Sequence, residues 1–108
     1  MAQLNFAQSL AGYSVLCFIF QVKDRHNGNI LLMQSGHLTH IDFGFILGLS
    51  PGNLAFESAP CKITEEYVEL LGGRDSEMWD MFLGLCVEAF LEARRNLHSI
   101  AALVSTHL

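Results

Sequence analysis

Between positions 44 and 62 stand three glycines (Gly44, Gly48, Gly52) and two prolines (Pro51, Pro60), a density that excludes a long regular element. The stretch reads as an ordered but mobile loop that splits the chain into two structured halves. Nineteen residues without regular structure are unusual in a compact domain, and such a segment is more often functional than not.

Before the loop, Phe6, Leu10, Tyr13, Leu16, Cys17 and Phe20 recur at close to helical spacing, which predicts a helix over 5–22 with Asn5 as its N-cap. Apolar residues on most of its sides predict a buried helix. The polar run from Lys23 to Asn29 is turn-forming, with Gly28 free to take positive φ. Two strands are predicted next, Ile30–Met33 and Leu38–Phe43. The Gln34-Ser35-Gly36 connector between them signals a hairpin. His37 and His40 lie three apart on a strand and so on opposite faces, which rules them out as a metal pair.

After the loop, Thr64 is the expected N-cap of a helix with Glu65 and Glu66 in its first turn and Gly72-Gly73 at its end. From Ser76 onward, Met78, Met81, Phe82, Leu85, Val87, Phe90 and Leu91 predict an amphipathic helix, with Trp79, Met78 and Met81 read as core. A last helix is expected over 96–106, after a break near Arg94-Arg95.

Composition limits the function classes. With 11 acidic against 6 basic residues and no basic run, the chain is unsuited to nucleic-acid binding through phosphates. Three cysteines, odd in number, far apart and set among apolar residues, suit reduced thiols in a cytosolic protein. The longest strongly apolar stretch, Val15 to Phe20, is far short of the roughly 20 residues a span needs, so membrane contact is expected to be peripheral. The apolar fraction, 51%, is high for 108 residues, since domains this small bury only about 60–70% of their unfolded surface. The excess is read as the mark of a fragment whose apolar surface meets further chain.

The informative stretch is Asp24-Arg25-His26-Asn27-Gly28-Asn29, followed beyond the hairpin by Asp42-Phe43-Gly44. Phosphoryl transfer asks little of a protein: a group that orients or deprotonates the acceptor hydroxyl, and oxygen ligands that hold Mg²⁺ against the phosphates. Protein kinases supply these as an Asp, an Asn five residues later and the Asp of Asp-Phe-Gly. Here Asp24 and Asn29 are five apart, Asp42 follows Asn29 by thirteen, and the hairpin brings Asn29 and Asp42 to one end of the two strands. The geometry is that of a shared metal.

The triplet is inverted relative to the His-Arg-Asp of protein kinases. With Gln-Val-Lys-Asp-Arg-His-Asn-Gly-Asn-Ile at 21–30 and His-Ile-Asp-Phe-Gly-Phe at 40–45, it resembles the phosphatidylinositol kinases. The segments starting at Asn5 and Ser50, and Lys62-Ile-Thr with the Glu65-Glu-Tyr-Val-Glu-Leu-Leu-Gly-Gly run, look like the phosphatidylinositol 4-kinases of the type III beta branch. Cys61 and Gly48-Leu49 depart from the usual pattern at positions that match no catalytic role.

The resemblance implies an α+β fold: the mainly helical C-terminal lobe of a kinase-like domain, carrying a short antiparallel hairpin. It implies Asp24 and His26 as the catalytic acid and imidazole, with the proton acceptor between them left open. Asn29 and Asp42 match the ligands of Mg²⁺ (or Mn²⁺), and Leu31 and Ile41 match the floor of the adenine pocket, although plain strand core explains both equally well. Arg25 is read as a structural lock on the loop. ATP and membrane phosphatidylinositol are the implied substrates, and the implied location is cytoplasmic, peripheral to Golgi or other endomembranes.

Between Phe45 and Cys61 there is no Lys or Arg, which suits an unphosphorylated inositol better than a phosphorylated one. Ile46, Leu47, Leu49, Leu54 and Phe56 would rest on lipid or on the protein's own helices. No Gly-rich phosphate loop precedes Asp24, and Lys23 sits too close to the triplet to be the lysine that pairs with ATP. Both belong to an N-lobe expected upstream, without which the 108 residues are expected to be inactive. A related protein Ser/Thr kinase and a non-catalytic binding module remain open as other readings.

Overall fold

The computed structural model describes residues 1–22, 25–43 and 63–107. Its elements run α1 (Ala2–Phe20), β1 (Ile30–Leu32), β2 (Leu38–His40), α2 (Glu65–Leu70), α3 (Glu77–Arg95) and α4 (Leu97–His107). Among the described residues the chain is thus mainly helical, with one two-stranded antiparallel sheet in register Ile30 with His40, Leu31 with Thr39 and Leu32 with Leu38. The loop expected over 44–62 lies outside the described residues, as do Lys23 and Asp24.

The core gathers Phe6, Ala7, Leu10 and Ala11 of α1, Ile30 and Leu38 of the hairpin, Leu71 after α2, and Phe82 of α3. Phe6 meets Tyr67 edge-on at 5.8 Å, a favoured arrangement for two aromatic rings. Only one face of α1 is covered: Leu16 and Phe18 are exposed. The helix is therefore half-buried here, and its apolar outer side continues over Val87, Phe90 and Leu91 of α3.

α1 begins earlier than expected. Met1 is its N-cap, and Asn5 lies inside the first turns, its amide donating to Asn5-distant Ser35 O at 2.9 Å instead of capping the helix. Asn5 is the first member of a stripe at four-residue spacing that holds the hairpin. The hydroxyl of Ser9 accepts the N–H of Leu38 at 2.8 Å, Tyr13 stacks on His40 with ring centroids 4.5 Å apart, and Cys17 Sγ lies 3.7 Å from His40 Nδ1. Residues four apart share a helix face. The hairpin lies along that ridge.

Strand β2 is shorter than predicted, because Asp42 has φ +60° and ends the pleat. Gly28 does not use positive φ either; Gly36, Gly72 and Gly73 do. At Gly36 (φ +94°) a Cβ would lie 2.2 Å from the carbonyl oxygen of Ala2, so the turn and the start of α1 touch where only glycine fits.

The cap expected at Thr64 is present, and Ser76 caps α3 in the same way. Thr64 Oγ1 accepts from the N–H of Tyr67 at 3.2 Å and Ser76 Oγ from that of Trp79 at 3.1 Å. Met78 and Trp79 pack on the core, but Met81 is exposed on the outer side of α3, contrary to expectation. The break between α3 and α4 falls at Asn96. No helix among the described residues is long and apolar enough to cross a membrane.

Candidate functional site

The hairpin ladder runs one step past the strands: the carbonyl of Asn29 accepts the N–H of Ile41 at 2.8 Å. Asn29 and Ile41 are therefore cross-strand neighbours, and Asp42 follows directly. The two oxygen-bearing side chains expected to share an ion come from the same end of the hairpin, as the spacing predicted. Asn29 is buried and Asp42 exposed. Asp24, the first residue of the triplet, is outside the described residues.

Asn29 is fixed on three sides. Its N–H donates to His26 O at 2.8 Å, its carbonyl takes Ile41, and its side-chain amide lies 3.0 Å from His26 Nε2. The other ring nitrogen of His26, Nδ1, accepts the N–H of Gly28 at 3.0 Å. His26 is exposed, with its ring folded back over its own loop.

Arg25 reaches from the triplet to the far strand. Its guanidinium donates to Ile41 O at 2.9 Å and also to Asp42 O, while its Cζ lies 5.2 Å from the centre of the Phe43 ring. A planar fork can hold two successive carbonyls at once, which a lysine cannot. The structural role expected for Arg25 is the one observed. The segment it grips includes Asp42, whose left-handed backbone is uncommon for a residue other than glycine. Such conformations persist where the surroundings over-determine them, and they cluster at functional sites.

His40 lies behind this grip, buried between Tyr13, Cys17 and Arg25, whose Nη1 is 3.5 Å from His40 Nδ1. It links α1 to the loop that carries Arg25, a role sequence reasoning missed. The signal was present: alternation puts His40 on the same face as Leu38, toward the core. His37 is exposed and bonded to Ser35 Oγ at 2.7 Å.

Leu31 and Ile41 take the opposite face. Ile30, Leu38 and His40 are buried, whereas Leu31 is 45% exposed and Ile41 39%. Strand core does not explain them. They present an apolar surface beside the Asn29–Asp42 end.

The family described as phosphatidylinositol 3- and 4-kinase matches residues 2–108. Among curated relatives, the chain is 55% identical over 103 residues to phosphatidylinositol 4-kinase PIK1alpha of Candida albicans, a match covering 95% of this chain and 10% of that protein. It is 52% identical over 103 residues to a phosphatidylinositol 4-kinase of Dictyostelium discoideum, covering 95% of this chain and 9% of the relative. With phosphatidylinositol 4-kinase beta 1 of Arabidopsis thaliana it shares 51% identity over 108 residues, 96% of this chain and 10% of the relative. The chain thus spans about a tenth of the length of these relatives.

Proposed function

Because the chain belongs to the phosphatidylinositol 3- and 4-kinase family, we propose that it is the C-lobe part of a phosphatidylinositol 4-kinase. That enzyme transfers the γ-phosphate of ATP to the 4-hydroxyl of phosphatidylinositol. The observation that carries the reading is the register: Asn29 pairs with Ile41, so an amide and the Asp42 carboxylate flank one end of the hairpin.

The donor set fits Mg²⁺ or Mn²⁺. Both side chains offer hard oxygen, and among the described residues no group of three or more His, Cys, Asp or Glu could hold a metal. An ion held by Asn29 and Asp42 would take its other ligands from phosphates and water, which is the habit of Mg²⁺. When bound, the ion neutralises phosphate charge and aligns the γ-phosphate for attack.

The remaining roles fall to the chain's own groups. Leu31 and Ile41 support the adenine ring, and Arg25 keeps Asp42 at the phosphates by holding its backbone. Asp24 and His26 act on the inositol hydroxyl, orienting it and receiving its proton. The stretch between Phe45 and Cys61, which carries no Lys or Arg, favours unphosphorylated phosphatidylinositol, and its apolar residues suit a peripheral site on an endomembrane such as the Golgi. A phosphate-clamping loop and its lysine would come from an N-lobe elsewhere in the protein, so the 108 residues alone transfer no phosphate.

The test is Asp42→Asn in the full-length enzyme, assayed with radiolabelled ATP on vesicles of phosphatidylinositol or its monophosphates. Label should appear on phosphatidylinositol and fall at least about a hundredfold in the variant. Undiminished turnover, or label on a peptide and not on lipid, would overturn the reading.

A further inference from the structure

We infer that Tyr13 is a positioning residue: by fixing the plane of the His40 ring it sets the seat of the Arg25 guanidinium, and through it the place of Asp42. The inference rests on the ion-binding reading of Asp42 and goes beyond it by naming the side chain of α1 that aims this carboxylate.

An imidazole bonds through its two ring nitrogens, and it does so in the plane of the ring. Whatever holds the plane therefore decides where His40 can reach. Tyr13 holds it: the ring centroids are 4.5 Å apart and the planes differ by 10°, a face-to-face contact that a tilted imidazole would lose. In that plane His40 Nδ1 lies 3.5 Å from Arg25 Nη1. The same Nη1 donates to Ile41 O at 2.9 Å, and the other arm of the fork holds Asp42 O. A change in the ring is thus passed to two successive carbonyls, the second of them that of Asp42.

The backbone offers a second route. His40 closes β2 and stands two residues before Asp42, so the stack also pins the strand end from which the carboxylate projects. Asp42 has φ +60°, which a residue other than glycine keeps only where its surroundings impose it. Both restraints on that backbone, the fork and the strand end, start from His40. Tyr13 is half-buried, and among the described residues its hydroxyl has no hydrogen-bond partner. Its contribution is the flat ring, which a phenylalanine can replace and an aliphatic side chain cannot.

The experiment measures by calorimetry how tightly the full-length enzyme binds a non-hydrolysable ATP analogue, with Mn²⁺ and without it. The ratio of the two affinities reports the grip on the ion. Tyr13→Met fills the space without a flat face and should lower that ratio about tenfold, as loss of a supporting residue behind a metal ligand does. Tyr13→Phe keeps the stack and should stay within about twofold of the wild type. Phe82→Leu, a core change on α3, should lower the unfolding temperature and leave the ratio alone. In an Arg25→Lys background, where the fork is already lost, Tyr13→Met should change the ratio by less than about twofold. If Tyr13→Met costs stability with the ratio intact, as Phe82→Leu does, the tyrosine is packing alone and the inference is wrong. It is equally wrong if Tyr13→Phe falls as far as Tyr13→Met. Tyr13→Leu repeats the measurement should Tyr13→Met not fold, and failure of both to fold makes the tyrosine a folding residue and overturns the inference. If Asp42→Asn itself leaves the ratio unchanged, the ion site proposed above fails first, and the inference with it.

Discussion

Arg25 donates to the main-chain oxygen of Ile41 at 2.9 Å, and the same guanidinium holds the oxygen of Asp42. One side chain thereby joins the loop before β1 to the segment after β2.

Arg25→Ala removes that link and leaves two carbonyls without their donor. A hydrogen bond to a charged group is worth about 1.5–3 kcal/mol, so a stability loss of that order is expected in urea denaturation. Arg25→Lys restores charge but not the fork and should recover less than half. Turnover of the full-length enzyme should fall in both variants as Asp42 loses its backbone support.

Gly36 and Gly73 separate two costs that glycine substitutions usually mix. Both have positive φ, +94° and +92°, yet a Cβ meets the Ala2 carbonyl at Gly36 and nothing within 4 Å at Gly73. Gly73→Ala should therefore cost only about 1–2 kcal/mol of backbone strain. Gly36→Ala carries a similar strain plus the clash and should destabilise clearly more, as the difference in denaturation midpoints will show.

Acid sensitivity should trace partly to Glu65. Two hydrogen bonds from Arg74, at 3.0 and 2.7 Å, and then its charge hold the Glu65 carboxyl below its usual range. A folded value below the unfolded one gives stability that is present above the unfolded value and lost as pH falls through the folded one. Both groups are exposed, so the effect is small and fades with salt. Denaturation midpoints followed from pH 7 into the acid range should fall less steeply in Glu65→Gln, and the difference should shrink at high ionic strength.

What the sequence disclosed and what it concealed divide by the range of the interaction. Thr64 was readable as a cap because a cap bonds to a backbone N–H three residues away. The hairpin around Gly36 was readable for the same reason, and with it the nearness of Asn29 to Asp42. Asn5 was misread as a cap because its partner, Ser35, lies thirty residues away and only the folded chain brings the two together. The end of β2 at Asp42 was likewise hidden: alternation predicted continued pleat through Phe43, and Arg25, from another segment, holds the backbone otherwise. Met81 has the right residue type and nearly the right spacing for the core, but it stands exposed on α3. Around this end of the hairpin, the placement of Asn29 beside the Ile41–Asp42 segment and the structural part of Arg25 were legible, whereas the partnership of His26 with Gly28 and Asn29 required coordinates.

The stripe Asn5–Ser9–Tyr13–Cys17 has a mechanical meaning. Twelve residues of helix rise about 18 Å, and along that rise the helix is tied to the hairpin at its tip, Ser35, and at its base, His40. A lever pinned at both ends cannot flex between its pins. If α1 tilts, the end of the hairpin that carries Asn29 and Asp42 travels with it.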